Sequence, residues 1–260
     1  MSNTYWADRQ AAAQNKLTEK NQKQIDKQMR KYYASTMEKT ISDFEATYNK
    51  ILSAIEDGRQ PTPADLYKLD KYWQAQAQLR KELQKLGDRQ ITLLSKQFEL
   101  NWFDIYYSFG ELGEITFSSI DAAMVQQMIN EIWCADGKSW SARIWENTQR
   151  LAAELNEGLI HCVATGKKTT ELKNILQERF GVSYSRADAL VRTELAHIQT
   201  QAAKKRYEDA GIQEVEIWAS KDERQCEICG ELHMKRYPVG AAVPVPAHPR
   251  CRCCVIPVVE

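Results

Sequence analysis

The residues best suited to chemistry lie near the carboxy-terminal end. They read Cys226-Glu-Ile-Cys229, then eighteen residues, then His248-Pro-Arg-Cys251-Arg-Cys253-Cys254. Two cysteines separated by two residues can reach one ion from a single tight turn, and His248 with Cys251 repeats that spacing. Paired knuckles at this separation follow the zinc-ribbon pattern with one cysteine replaced by histidine. Thiolates and imidazole suit a borderline-soft cation, so the spacing predicts a structural Zn2+ held by Cys226, Cys229, His248 and Cys251. Cys253 is an alternative fourth ligand, and His233 is in reserve. Two other readings stay open: packed free thiols with a hydrogen-bonded His248, and disulfides. Of the seven cysteines, only Cys134 and Cys162 lie outside this stretch.

A structural ion is favoured over a catalytic one. A catalytic zinc keeps one position open, and four protein ligands close it. A nucleobase deaminase needs His-x-Glu before its Pro-Cys-x-x-Cys. Here Gln225 precedes Cys226, and the upstream histidines read His161-Cys-Val and His197-Ile-Gln. A metal-finger nuclease needs a free histidine to activate water, and His233 is the only one to offer. No enzyme activity is expected.

The elements that must position these donors are helical. Met37, Ile41, Phe44, Tyr48, Ile51 and Ile55 alternate spacings of four and three, which lays one apolar stripe along a helix. Ile25 and Met29 extend it backwards, and Gly58 with Pro61 ends it. Thr62 and Pro63 open a second helix with the stripe Leu66, Leu69, Trp73, Leu79, Leu83 and Leu86, which Gly87 is expected to stop. A third carries Ile91, Leu94, Phe98 and Ile105, and Gly110 and Gly113 mark the next break. Ser119 is the expected cap of a helix with Ile120, Met124, Met128 and Ile132. Asp136-Gly137-Lys138 reads as a turn. A helix from Ser139 to Cys162 points Trp140, Ile144, Leu151 and Leu155 inward. One further helix is expected from Thr169 or Thr170 to Gly181, and another from Ser183 or Ser185 to Gly211.

After Gly211 the period changes. Val215, Ile217 and Ala219 alternate with Glu214, Glu216 and Trp218, as in a strand. Val255, Ile256, Val258 and Val259 suggest a second strand, which Pro257 confines to an edge. The stretch between them, with Pro238, Gly240, Pro244, Pro246 and Pro249, reads as irregular and in need of a fastening. The fold class is mainly α with a small α+β carboxy-terminal module: an elongated helical hairpin or bundle, then a short antiparallel sheet with a Cys/His knuckle. The expected domains are a helical region over 1–112 and a second over 113–260, with 212–260 the Cys/His module.

Bulk properties set limits. The 260 residues, 43% of them hydrophobic, can bury a core. Thirty-five basic side chains balance 35 acidic ones, which argues against wholesale coating of nucleic acid. The arm from Asp8 to Lys39 is only mildly basic. The polar start lacks the apolar stretch of a signal peptide, and no window approaches the roughly 20 apolar residues that span a bilayer. A reducing cytoplasm and no membrane partner are expected.

The motifs occur in a telling order. Leu190-Val-Arg192-Thr193-Glu194 is followed by a helix to Tyr207 and Gly211. Then come Trp218-Ala-Ser220-Lys-Asp222, Cys226-x-x-Cys229 and His248-Pro-Arg-Cys251-Arg252-Cys253. This order resembles the phage head-morphogenesis family, the minor head proteins similar to protein F of phage Mu. The run from Trp133 through Asp136-Gly137-Lys138 and Trp140 to Arg143 and Trp145 is similar to the Gram-positive phage branch. The resemblance covers roughly residues 115 to 257. Family members show Leu-Asp-Gly after the first knuckle, where this chain has Leu232-His233-Met234.

The resemblance implies a low-copy virion protein in the head interior at the portal vertex, present in the host cytoplasm during assembly. Its implied partners are the portal protein, scaffold and capsid proteins, and double-stranded DNA. It implies roles in head morphogenesis and in DNA packaging or ejection. The alternatives are a metal-dependent nuclease or a DNA-binding module acting on the phage genome. Some relatives carry an appended ADP-ribosyltransferase domain, and none is expected after Glu260. Arg192, Thr193, Glu194, Asp222, Arg252 and Cys253 are the family's structural motif. Arg192 and Glu194 are expected to pair with the small module, and Asp222 to orient a turn or ligand. Arg250 and Arg252 flank ligands and offset thiolate charge or touch phosphate. His197 is expected in the core or an interface.

Overall fold

The computed structural model describes residues 3–53, 59–109, 120–219 and 225–259. Ile55, Gly58, Gly110, Gly113, Ser119, Ser220 and Asp222 lie outside them. Among the described residues, seven helices and three strands follow in order: α1 (Asn3–Ser53), α2 (Pro63–Tyr67), α3 (Asp70–Tyr107), α4 (Ala122–Ile129), α5 (Trp140–Thr165), α6 (Thr169–Asp209), β1 (Glu214–Trp218), α7 (Glu227–Leu232), β2 (Arg236–Pro238) and β3 (Cys254–Pro257). The fold is mainly α with a small antiparallel sheet and a Cys/His cluster.

Two expected helix ends are corrected. α3 runs through Gly87, and α6 runs through Gly181. A helical glycine costs about 1 kcal/mol relative to alanine. The buried rows on either side outweigh that cost. In α3 the row Leu79, Leu83, Leu86, Gln90, Leu94, Phe98, Trp102 keeps helical spacing across Gly87. In α6 the row Leu172, Leu176, Phe180, Ser183, Ala187, Val191, Leu195 does the same across Gly181. α2, α3 and α6 therefore stand where four helices are expected, and the one expected from Thr62 to Leu86 is interrupted between Tyr67 and Asp70.

Other starts and stops follow local chemistry. Thr62 caps α2 in a reciprocal capping box with Asp65, and Pro63 sits in its first turn. Asp121 caps α4, its carboxylate accepting from the Ala123 N–H at 2.9 Å. α4 buries Val125 and Ile129 and ends before Ile132, which is exposed against expectation. Trp73 is likewise exposed, and its neighbour Tyr72 takes the buried place. α6 stops at Gly211, whose φ of +76° suits the left-handed terminus.

The chain forms two compact units. One comprises residues 27–92 and 141–187, the other residues 1–26, 93–140 and 188–260. In the first, buried tyrosines tie helices together. The Tyr48 hydroxyl donates to the Cys162 and Lys167 carbonyls. The Tyr72 hydroxyl donates to Asn156 at 3.0 Å.

The second unit holds the sheet, in the order β2-β1-β3 and antiparallel throughout. β1 is buried at four of five positions, so its expected two-sided alternation is not observed. β2 lies within the stretch expected to be irregular. β3 is an edge strand, as Pro257 requires, and α1 covers it. Gln14 Nε2 donates to the Val255 carbonyl at 3.0 Å, and the Tyr207 hydroxyl donates to the same oxygen at 3.2 Å. Ala7 and Ala11 pack with Trp218, Cys254 and Ile256. Small alanines let the helix backbone approach the strand, which protects an otherwise exposed edge.

Candidate metal centre

The register of β1 against β3 builds the site. Trp218 lies opposite Cys254, so chain leaving β1 runs beside chain entering β3. Cys226 caps α7, and its sulfur accepts from the Cys229 N–H at 3.4 Å. On the other side the Cys251 N–H donates to the His248 carbonyl at 3.1 Å, closing a four-residue turn. Pro249 occupies its second position and Arg250, at φ +62°, its third, the pattern of a type II turn. The proline-rich stretch before it is fastened to α6, where buried Lys204 donates its Nζ to the Ala241 carbonyl.

These two turns bring the donors together. His248 Nε2 lies 3.2 Å from Cys226 Sγ and 3.1 Å from Cys229 Sγ. Cys229 Sγ lies 3.7 Å from Cys251 Sγ. A tetrahedron with bonds of about 2.3 Å to sulfur has a sulfur–sulfur edge of roughly 3.8 Å. Cys226, Cys229 and His248 form one group able to hold a metal ion, and Cys229, Cys251 and Cys253 a second that shares Cys229. None of the seven cysteines is in a disulfide.

The electrostatics suit a cation. His248 Nδ1 donates to the Pro249 carbonyl at 2.8 Å. A carbonyl can only accept, so the neutral ring carries its lone pair on Nε2, facing the sulfurs. That bond also raises the His248 pKa. The Cys229 N–H lowers the Cys226 pKa. The Cys253 thiol, with backbone N–H groups of Cys253 and Ala247, lowers that of Cys251. Cys253 is raised by the same contact, as befits the donor of the pair. Burial pushes Cys229 up to about 12 and likewise Cys254. The donor set fits a thiophilic cation, which would offset the burial of these sulfurs.

The remaining motif residues surround the site. Arg192 pairs with Asp188 at 2.9 Å, and Arg250 reaches the same carboxylate at 3.4 Å. The Thr193 hydroxyl accepts from the Arg250 N–H at 3.0 Å. Glu194 is buried and accepts from the Trp133 indole at 3.0 Å. His197 is buried flat against Trp133, with ring centroids 4.3 Å apart. Arg252 is half-buried between Cys251 and Cys253. His233 stands aside: its ring packs edge-on to Trp218, and Nδ1 accepts from the Ala219 N–H at 3.4 Å. Sequence reasoning missed α7 and the contacts of Thr193 and Glu194, which link residues far apart in the chain. The Met234 turn carried a signal, the glycine that family members place there. Met234 itself takes φ +64°.

Residues 153–256 match the family described as Phage Mu protein F like protein. This match supports a likeness to the phage minor head protein family. Over 186 residues it is 26% identical to the NAD(+)–arginine ADP-ribosyltransferase EFV of Enterococcus faecalis. That similarity covers 64% of this chain and 38% of the relative, so the chain spans well under half of that protein. No solved structure matches. Among the described residues no helix is long and apolar enough to cross a membrane.

Proposed function

We propose that this protein is a non-enzymatic minor head protein of a tailed phage, sited inside the head at the portal vertex, with one structural zinc ion. The zinc is held by Cys226, Cys229, His248 and Cys251. The helices contact portal, scaffold or capsid proteins, and the pinned module is a rigid platform for head morphogenesis and for packaging or ejecting double-stranded DNA. One observation carries the structural reading of the metal. Two donor triads, Cys226/Cys229/His248 and Cys229/Cys251/Cys253, share Cys229, so more donors are at hand than the four a tetrahedral ion takes. Four protein ligands would close such a site, whereas metal-assisted hydrolysis needs an open position for water.

The location is tested by mass spectrometry of purified procapsids and mature particles. The protein is expected in both at low copy. Its absence from both overturns the reading. Incubation of the zinc-loaded protein with duplex DNA and divalent metal is expected to give no cleavage, and cleavage would replace the structural role with a nuclease.

A further inference from the structure

We propose that Thr193 is the positioning residue of the metal site, holding the His248–Cys251 half in its ligating conformation from α6. The inference rests on the metal reading above and goes beyond it, because Thr193 is no ligand. His248 and Cys251 flank a turn whose third residue must be left-handed. Glycine or asparagine adopts that conformation readily, but this chain has Arg250 at φ +62°. A non-glycine residue stays there only when its surroundings hold it.

Thr193 is one part of those surroundings. Its hydroxyl donates to the Ala189 carbonyl one turn back on α6, at 2.7 Å. With the proton so committed, the oxygen turns a lone pair outward, where the Arg250 N–H meets it at 3.0 Å. The β-branch of threonine narrows the choice of χ1 and keeps the oxygen in place. The Arg250–Asp188 pair is exposed and shares its carboxylate with Arg192, so it holds the turn weakly. The backbone hydrogen bond sets the angle between the imidazole and the Cys251 sulfur. The middle residue of the Arg192-Thr193-Glu194 motif thereby acts on the metal through the turn.

The test uses the full chain, titrated with Co2+ and then with Zn2+ against a chelator. Thr193→Val keeps the shape and removes the hydroxyl. It is expected to weaken zinc binding by about 10- to 100-fold, the usual effect of losing a partner that orients a ligand. Its cobalt spectrum at saturation is expected to retain tetrahedral thiolate character. Thr193→Ser keeps the hydroxyl and is expected to bind like the wild type. Hydrogen exchange of the Arg250 amide gives a check that needs no variant: in the metal-loaded wild type it is expected to be protected. Equal zinc affinity in Thr193→Val and the wild type overturns the proposal and leaves the metal site standing. So does an unprotected Arg250 amide. A wild type that binds neither Co2+ nor Zn2+ overturns the metal reading itself, and this inference with it.

Discussion

The ring of Trp145 lies so close to Gly87 that a Cβ added there would sit 2.3 Å from Cζ3. That atom belongs to a rigid indole, so the contact cannot be relieved cheaply. Alanine gains about 1 kcal/mol of helix propensity over glycine, but overpacking costs typically 1–3 kcal/mol and here the overlap is severe. Gly87→Ala is expected to destabilise the protein by about 1–2 kcal/mol net in urea unfolding.

The same substitution at Gly181 should have the opposite sign. A Cβ there would meet nothing within 4 Å, and the residue sits inside α6. Gly181→Ala is expected to stabilise by up to about 1 kcal/mol. Thermal unfolding of the two variants side by side checks both, and a shift in the same direction contradicts the packing argument.

Met234 occupies a left-handed turn position at φ +64°, and its side chain is largely exposed. The turn is tied at both ends: the Met234 N–H donates to the Ile217 carbonyl at 2.8 Å and the Lys235 N–H to the Leu232 carbonyl at 3.1 Å. Glycine adopts this conformation without the steric cost of a Cβ. Met234→Gly is expected to raise stability by about 0.5–1 kcal/mol, measured by urea titration.

His197 supplies a pH dependence. Burial, with the nearby Lys204 charge, holds its pKa down to about 4, against 6.5 ordinarily. Its Nε2 is buried without a hydrogen-bond partner among the described residues. The unfolded chain binds the proton near pH 6.5 and the folded chain only near 4. Stability is therefore full above 6.5 and falls as pH drops through this window, by up to about 3 kcal/mol in all. His197→Phe keeps a ring against Trp133 and removes the titration. Between pH 7 and 4.5 the wild type is expected to lose about 2 kcal/mol more than His197→Phe. The metal donors titrate in both proteins and cancel in the difference. Equal losses would show that His197 is not held neutral.

The legible parts of the sequence were those with a period or a fixed spacing. The α1 stripe from Ile41 to Ile51 is buried, and the Thr62 cap is where its chemistry requires. Cys226, Cys229 and His248 lie together, while Cys251 lies with Cys229 and Cys253 in a second group, a division the two-residue spacings do not foretell. What was not legible depended on distant residues. Gly87 and Gly181 resemble stops locally, and only the rows continuing past them show otherwise. The three residues of β2 carry no period of their own and are ordered by pairing with β1. The contact of Thr193 with Arg250 spans 57 residues and leaves no local mark. The compact unit that holds the site is assembled from three separate stretches of chain, a division no local pattern reveals.

Cys229 belongs to both donor groups, so it is the side chain the site can least lose. The decisive measurement is zinc per chain, by inductively coupled plasma mass spectrometry, in the wild type, Cys229→Ser and Cys253→Ser. One equivalent in the wild type, none in Cys229→Ser and one in Cys253→Ser is the expected result. A wild type purified without added chelator that contains no zinc and takes none up, or a Cys229→Ser variant that keeps a full equivalent, would contradict a module pinned by these thiolates and the imidazole.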